Sequence, residues 1–184
     1  VIPLLAAPLC IILHNRILAW LLTVLVTLTS LGISCALLNR VLIEDSITYA
    51  MGGWIAPWGI EYYIDKLTAY MLLIINAIAV LVSIGARESI ENEVASDRVY
   101  LFYTTFLLNL TGLVGVIITG DAFNLFVFIE IASLSSYAII SLGKNKYSLY
   151  AALKYLIFGT IGASFILISV GLLYAVTGTL NISD

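Results

Sequence analysis

One carboxylate stands inside an otherwise uncharged apolar stretch of this chain. Residues 122–142 carry Glu130 as their only charged side chain, and a stretch of that length can cross a lipid bilayer. Glu130 falls near its midpoint. An ionised carboxylate at that depth costs on the order of 2.5–3.5 kcal/mol on insertion scales, and chains that keep one there generally use it to move ions. Glu130 is therefore the first candidate for chemistry, as a group that takes up and releases a proton.

Two hydroxyl side chains share a helical face with Glu130. Ser133 and Tyr137 follow it at spacings of three and seven residues, which places all three on one side of an α-helix. Their hydroxyls can hydrogen-bond the carboxylate or hold a water molecule beside it. The alternative is a permanently protonated glutamic acid that hydrogen-bonds within the helix packing. The rarity of unpaired acids at this depth favours the functional interpretation.

Lys154 is the only cation inside a predicted membrane span. It lies about 9 Å from the start of the apolar stretch 148–177, which as one helix is roughly 45 Å long. A lysine there can serve ion movement or extend its amine to the headgroups, and the sequence leaves both interpretations open. Because Glu130 lies about 18 Å from the same side, a direct contact needs helix tilt or an intervening water. Asp121, which follows Gly120 in a tight connection, is predicted to cap the helix of Glu130.

The composition excludes a water-soluble globule. Of the 184 residues, 62% are hydrophobic and 10% are charged, with a mean hydropathy of +1.11, whereas soluble domains carry about 25% charged residues. The net charge of −3 provides no basic surface for nucleic acid. The sequence contains no phosphate-binding glycine loop, no Ser/His/Asp set and no ligand set for haem or an iron–sulfur cluster. We therefore expect no cofactor and no redox or hydrolytic site in this chain.

Five apolar segments are long enough to span a bilayer as helices. They are residues 17–38, 67–85, 99–119, 122–142 and 148–177. Residues 1–13 are apolar but too few to cross, and no basic segment precedes them as in a signal peptide, so we expect them to be the end of a truncated first transmembrane helix. The sequence thus predicts an all-α membrane protein with six transmembrane helices, as part of a longer chain.

The loops of a six-helix arrangement alternate between the two sides of the membrane. One set contains five basic residues and the opposite set contains two, so the positive-inside rule places the first set in the cytoplasm. The first set comprises residues 14–16, 86–98 and 143–147, and the opposite set comprises 39–66 and 119–121.

The longest outer loop, residues 44–66, is rich in aromatic side chains suited to the headgroup region. Gly52, Gly53 and Pro57 interrupt any helix there, and residues 59–64 alternate loosely between apolar and polar. This pattern predicts a short β-hairpin at the outer surface, with a structural role. The aromatic residues are Tyr49, Trp54, Trp58, Tyr62 and Tyr63.

Several motifs along the chain resemble one family of membrane transporters, the D subunits of multisubunit Mrp-type cation/proton antiporters. The wider family includes antiporter-like subunits of respiratory complex I and of membrane-bound hydrogenases. The segments NLFVF and SSY around Glu130 look closer to the antiporter and hydrogenase branches than to complex I. The motifs are TGDAFNLFVFIE at 119–130, LSSY at 134–137, AALKYL at 151–156, GLLY at 171–174, TGTLN at 177–181, and GGW at 52–54 with Pro57, Gly59 and Ile60.

The resemblance implies roles for both intramembrane charges. Glu130 matches the essential glutamate of the family's fifth helix, and Lys154 matches the lysine of its sixth. The family fold has about fourteen helices with two inverted repeats. Residues 1–98 would then hold the first three transmembrane helices, and residues 99–184 the start of the first repeat. The chain would end before the seventh-helix lysine that family members pair with the glutamate.

Three functions are compatible with these features. The first is a subunit that exchanges protons for sodium in the inner (plasma) membrane of a prokaryotic cell, embedded in the lipid bilayer beside other antiporter subunits. The alternative is a proton-pumping, antiporter-like subunit of a membrane-bound hydrogenase or NADH:quinone oxidoreductase, driven by redox chemistry in partner subunits. The third is a structural membrane scaffold, which a permanently protonated and dry Glu130 would favour.

Overall fold

The computed structural model describes residues 1–54 and 59–182. Within these ranges it contains seven α-helices and one two-stranded sheet. Pro57 and Trp58, named above, lie outside the described residues. In chain order the elements are α1 (Ile2–Leu13), α2 (Arg16–Glu44), β1 (Ile47–Ala50), a 3-10 turn (Met51–Gly53), β2 (Glu61–Ile64), α3 (Lys66–Gly85), α4 (Arg87–Glu93), α5 (Val99–Ile118), α6 (Ala122–Ser141) and α7 (Ser148–Thr177).

Five helices, α2, α3, α5, α6 and α7, are long and apolar enough to cross a membrane, and α1 is a shorter apolar helix. The predicted membrane fold is therefore confirmed. The bounds of α3, α5, α6 and α7 differ from the predicted spans by at most one residue. The second helix continues beyond its predicted end at residue 38. Val41 in this extension is fully buried, and Arg40 and Glu44 form an i,i+4 ion pair of 3.0 Å that adds to the stability of the last turn.

Helix α5 lies at the centre of the packing. It contacts α1, α2, α3 and α6, while α7 packs against α6. Leu107 of α5 is fully buried in the main core cluster. Further along α5, a side chain at Gly112 would overlap the backbone of Ala132, and one at Gly115 would overlap the ring of Phe128. These small residues therefore allow α5 and α6 to approach closely.

Three loops meet at one end of the helices, which we call the basic end: residues 14–16, 86–98 and 143–147. The ring centroids of His14 and Tyr100 are 4.3 Å apart. The predicted grouping of these loops on one side is thus confirmed. Hydropathy does not predict α4, because this helix has only seven residues and is strongly charged. Its last carbonyls accept hydrogen bonds from Lys144, whose Nζ lies 2.7 Å from the Asn92 carbonyl oxygen.

The opposite end carries the β-hairpin, and we call it the acidic end: residues 39–54, 59–66, 119–121 and 178–182. Strands β1 and β2 pair antiparallel, with Ile47 opposite Ile64 and Ala50 opposite Glu61. The predicted hairpin is therefore confirmed.

Backbone hydrogen bonds tie both ends of α6 to segments that are distant in the sequence. At the basic end, the segment after α6 forms a β-bridge between Gly143 and Val94, and Lys144 N donates to Glu93 O at 2.9 Å. The bonds at the acidic end are Gly120 N to Glu61 O (2.8 Å), Ala122 N to Leu180 O (2.8 Å) and Ile182 N to Gly120 O (2.9 Å).

Candidate functional site

The start of α6 determines the depth at which Glu130 lies. Asp121 caps this helix, and its Oδ1 accepts a hydrogen bond of 2.6 Å from Asn124 N. The Asn124 amide also donates to Thr119 Oγ1 at 3.0 Å, which connects the cap to the end of α5. The predicted capping by Asp121 is confirmed. Glu130 follows nine residues later, about 13 Å along the helix axis, well inside the apolar span.

The contact with α5 determines which way Glu130 faces. Asn109 of α5 donates to Ala132 O at 2.9 Å and to Ser136 Oγ at 2.7 Å, so it holds the two helices together. Phe128, Ala132 and Ser136 therefore form the α5 side of α6. Because Glu130 precedes Ala132 by two residues, it lies about 200° around the helix from it and faces away from α5.

The same face of α6 meets α7 nearer the basic end. Tyr137 is buried, and its ring packs edge-on against Tyr155 with centroids 4.7 Å apart. Its hydroxyl lies against Gly159, where any side chain would overlap it. Tyr137 therefore connects the face of Glu130 to the helix that carries Lys154.

The structure places the four candidate side chains on two packed helices but does not bond them together. Glu130 is half-buried, and neither its carboxylate nor the Ser133 hydroxyl forms a hydrogen bond or an ion pair within residues 1–54 and 59–182. Lys154 is exposed on α7, and its Nζ lies 5.2 Å from the ring centroid of Tyr150. Since Tyr150 precedes it by one turn, the amine points toward the basic end. The carboxylate of Glu130 thus has no fixed side-chain partner in the described part of the chain, and the amine of Lys154 lies apart from it.

Comparisons with known proteins agree with this arrangement of helices. A family model described as NADH:quinone oxidoreductase/Mrp antiporter, transmembrane, matches residues 119–184, which include Glu130 and Lys154. The D subunit of the Na(+)/H(+) antiporter of Bacillus subtilis is 35% identical over the whole chain and 37% of its own length. The chain belongs to the family of antiporter-like membrane subunits.

Two further members of this family of antiporter-like subunits come from redox complexes. The N subunit of the NADH-quinone oxidoreductase of Desulforudis audaxviator is 43% identical over 136 residues, 74% of this chain and 27% of that protein. The solved structure of the membrane-bound sulfane sulfur reductase, an archaeal respiratory membrane complex, matches 98% of this chain and 37% of its own, with 34% identity and a TM-score of 0.90. The chain thus spans between 27% and 37% of the length of these relatives.

Several residues around Glu130 and Lys154 make contacts that the sequence does not predict. Tyr155, which follows Lys154, packs against Tyr137, although only its aromatic character was visible in the sequence. The contact between Gly159 and the Tyr137 hydroxyl joins two helices, and no local pattern in the sequence predicts it. Among the described residues, no group of three or more His, Cys, Asp or Glu side chains is placed to hold a metal ion.

Proposed function

We propose that this chain is part of an ion-translocating antiporter subunit, in which Glu130 takes up and releases a proton in exchange for sodium. The observation that carries the proposal is the environment of Glu130. It is the only charged residue of α6, it lies well inside the apolar span, and its carboxylate forms no hydrogen bond or ion pair in the described part of the chain. No fixed hydrogen bond or ion pair therefore holds this carboxyl in one charge state.

The neighbouring residues provide a route for the proton toward the basic end. Ser133 and Tyr137 continue the face of Glu130 in that direction and carry hydroxyls that both donate and accept hydrogen bonds. Lys154 lies near the same end and would respond to the charge of Glu130 through water rather than by contact. Asp121 supports the site by holding the start of α6.

The relatives support sodium and protons as the exchanged ions. The Bacillus subtilis relative is named as part of a Na(+)/H(+) antiporter and is similar over the whole chain. On this proposal the protein lies in the plasma membrane of a prokaryotic cell, where it assembles with other antiporter subunits.

A second candidate function is proton pumping within a redox-driven complex. The relative from Desulforudis audaxviator belongs to NADH-quinone oxidoreductase, and the archaeal structure is that of a respiratory membrane complex. The same residues would then move protons, but oxidation and reduction in partner subunits would drive them. Co-purification of the full-length protein with subunits that carry iron–sulfur clusters would favour this candidate.

The decisive experiment is Glu130→Gln in the full-length protein within its native assembly. Glutamine keeps the size of the side chain but cannot release a proton. We expect sodium-driven proton movement in inverted membrane vesicles to fall by roughly 100-fold or more, with unchanged amounts of assembled protein.

The matched control is Glu88→Gln, which removes the same charge from an exposed position at the basic end. This variant should exchange ions at the normal rate. Normal exchange by the Glu130→Gln variant would overturn the proposal. If proton movement in the unaltered assembly depends on an electron donor and not on sodium, the second candidate is correct.

A further inference from the structure

The acidic end carries an excess of negative charge. Five carboxylates and two cations lie there within the described residues. The carboxylates belong to Glu44, Asp45, Glu61, Asp65 and Asp121, and the cations to Arg40 and Lys66. Among the described residues, a cation or a helix N-terminus compensates the charge of each of these carboxylates, with one exception.

Two of these acids are neutralised by the two cations. Glu44 accepts from Arg40 at 3.0 Å. Asp45 lies 2.6 Å from Lys66 Nζ, and that hydrogen bond and charge lower the pKa of Asp45. Both cations are therefore already paired.

Two more acids cap helices. The backbone N–H of Thr68 donates to Asp65 Oδ1 at 2.7 Å, which lowers the pKa of that carboxyl, and Asp121 caps α6 as described above. Partial positive charge at the helix N-termini compensates these two carboxylates.

Glu61 is the acid that remains without a compensating charge. It begins β2, and its backbone carbonyl accepts the hydrogen bond from Gly120. Its Oε2 accepts from the Asn181 side chain at 3.3 Å, which orients the carboxylate but leaves its charge in place because an amide is neutral. No lysine, arginine or histidine forms an ion pair with Glu61 in the described part of the chain.

Glu61 lines a cavity of about 460 Å³ between the hairpin, the start of α3 and the α5–α6 connection. Thr48 lies opposite Tyr63 and Ala50 opposite Glu61, so the side chains of Thr48, Tyr63 and Glu61 share one face of the hairpin. The lining contains no cationic side chain among the described residues. At about 30 Å³ per water molecule, the cavity can hold a small ion together with its hydration shell.

We propose that this cavity binds a hydrated monovalent metal cation, with the Glu61 carboxylate as its counter-charge and the hydroxyls of Thr48 and Tyr63 as contacts for its water molecules. One carboxylate balances one positive charge, whereas calcium and magnesium sites generally combine more oxygen ligands in a fixed geometry. The cavity also lies beside Gly120, where the chain passes into the helix that carries Glu130. The inference rests on the proposed function in one respect: the cation bound in this cavity is taken to be the sodium that is exchanged for protons.

The test measures binding of radioactive sodium to the purified full-length assembly in lipid nanodiscs, without any transport step. Glu61→Gln keeps an oxygen that can accept the hydrogen bond from Asn181 but removes the charge. We expect its dissociation constant for one saturable sodium site to rise at least about tenfold. Glu44→Gln removes one negative charge from the same end, outside the cavity, and should leave that constant unchanged.

Three outcomes would overturn the inference. The first is an unchanged sodium dissociation constant in the Glu61→Gln variant. The second is an equal loss of sodium affinity in the Glu61→Gln and Glu44→Gln variants, which indicates general attraction to a negative surface. The third is displacement of sodium by magnesium at a lower concentration than by potassium. The Glu130→Gln variant separates this inference from the proposed function, because it should lose exchange while keeping the sodium site. Sodium binding without any exchange by the unaltered assembly would contradict only the proposed function.

Discussion

The hydroxyl of Tyr137 lies directly against Gly159, at a point where any side chain on α7 would occupy the same space. Tyr137 is only 7% exposed, and its ring is also packed edge-on against Tyr155. The tyrosine therefore has little freedom to move aside. The contact of Tyr137 with Gly159 therefore limits how closely the helices that carry Glu130 and Lys154 approach at this level.

Gly159→Ala should destabilise the packing of α7 on α6. The added methyl overlaps the Tyr137 hydroxyl, and overpacking of this kind costs about 1–3 kcal/mol. Gly162→Ala is the matched control, because nothing lies within 4 Å of a side chain built there. Thermal unfolding of the two purified variants in the same detergent measures the difference. Equal midpoints would show that Tyr137 does not hold α7 at this distance.

Lys154→Gln should lower ion exchange about tenfold or more without lowering stability. The side chain is exposed, and its only described contact is with the Tyr150 ring, so its removal leaves no buried group unpaired. Lys154→Arg keeps the positive charge and should retain most of the exchange.

The chain offers a close control for this lysine. Lys146 at the basic end also lies over a neighbouring tyrosine, with its Nζ 5.3 Å from the ring centroid of Tyr147. Lys146→Gln should leave exchange unchanged. If both glutamine variants behave alike in vesicle assays, Lys154 only anchors α7 at the headgroups.

Substitutions of Asp121 separate its role as a helix cap from any role of its negative charge at the start of α6. Asn is as good an N-cap as Asp, whereas Ala costs about 0.5–2 kcal/mol at this position. Asp121→Asn should therefore keep both stability and exchange, and Asp121→Ala should lose stability by that amount in chemical unfolding. A stable Asp121→Asn variant without exchange would instead give the carboxylate a direct part in ion movement.

Asp65 makes the stability of α3 depend on pH. The backbone N–H of Thr68 holds the pKa of this carboxyl below its ordinary value. A group with a lowered folded pKa stabilises the protein above its unfolded value of about 3.9 and loses that contribution as the pH falls through the folded value.

Asp65→Ala should thus cost about 0.5–2 kcal/mol at neutral pH, and the cost should shrink below about pH 4. Unfolding of both proteins at a series of pH values measures it. Asp97→Ala is the control, because that side chain is 78% exposed and lies 3.9 Å from Arg98. A cost for Asp65→Ala that is the same at acidic and neutral pH would rule out ionisation as its cause.

Much of the helical framework could be predicted from the sequence because hydropathy alone determines where a span can lie. The segment 148–177 was predicted to the residue, and the cap at Asp121 followed from a single residue type at a helix start. The end of α2 was missed because its last turns contain the charged residues Arg40 and Glu44, which lower the hydropathy there although the helix continues. The assignment of residues 1–98 and 99–184 to separate parts of the family fold stays a prediction.

The environment of the site was harder to predict because it depends on contacts between distant residues. The sequence placed Glu130, Ser133 and Tyr137 on one face, and the contacts of Asn109 and Tyr137 agree with that placement. It could not show that Lys154 points toward Tyr150, since that depends on a side-chain conformation. The pairing of Glu61 with Asn181 joins residues 120 positions apart, and no local pattern predicts it.

Both ends of α6 are joined by backbone bonds to chain segments that follow other helices. Ala122 is bonded to Leu180 at one end, and Gly143 is bridged to Val94 at the other. Because α6 is bonded at both ends, it cannot slide or rotate without breaking backbone hydrogen bonds on both sides of the membrane at once. We therefore expect that, when Glu130 loses its proton, water molecules and side chains around it rearrange while α6 stays in place.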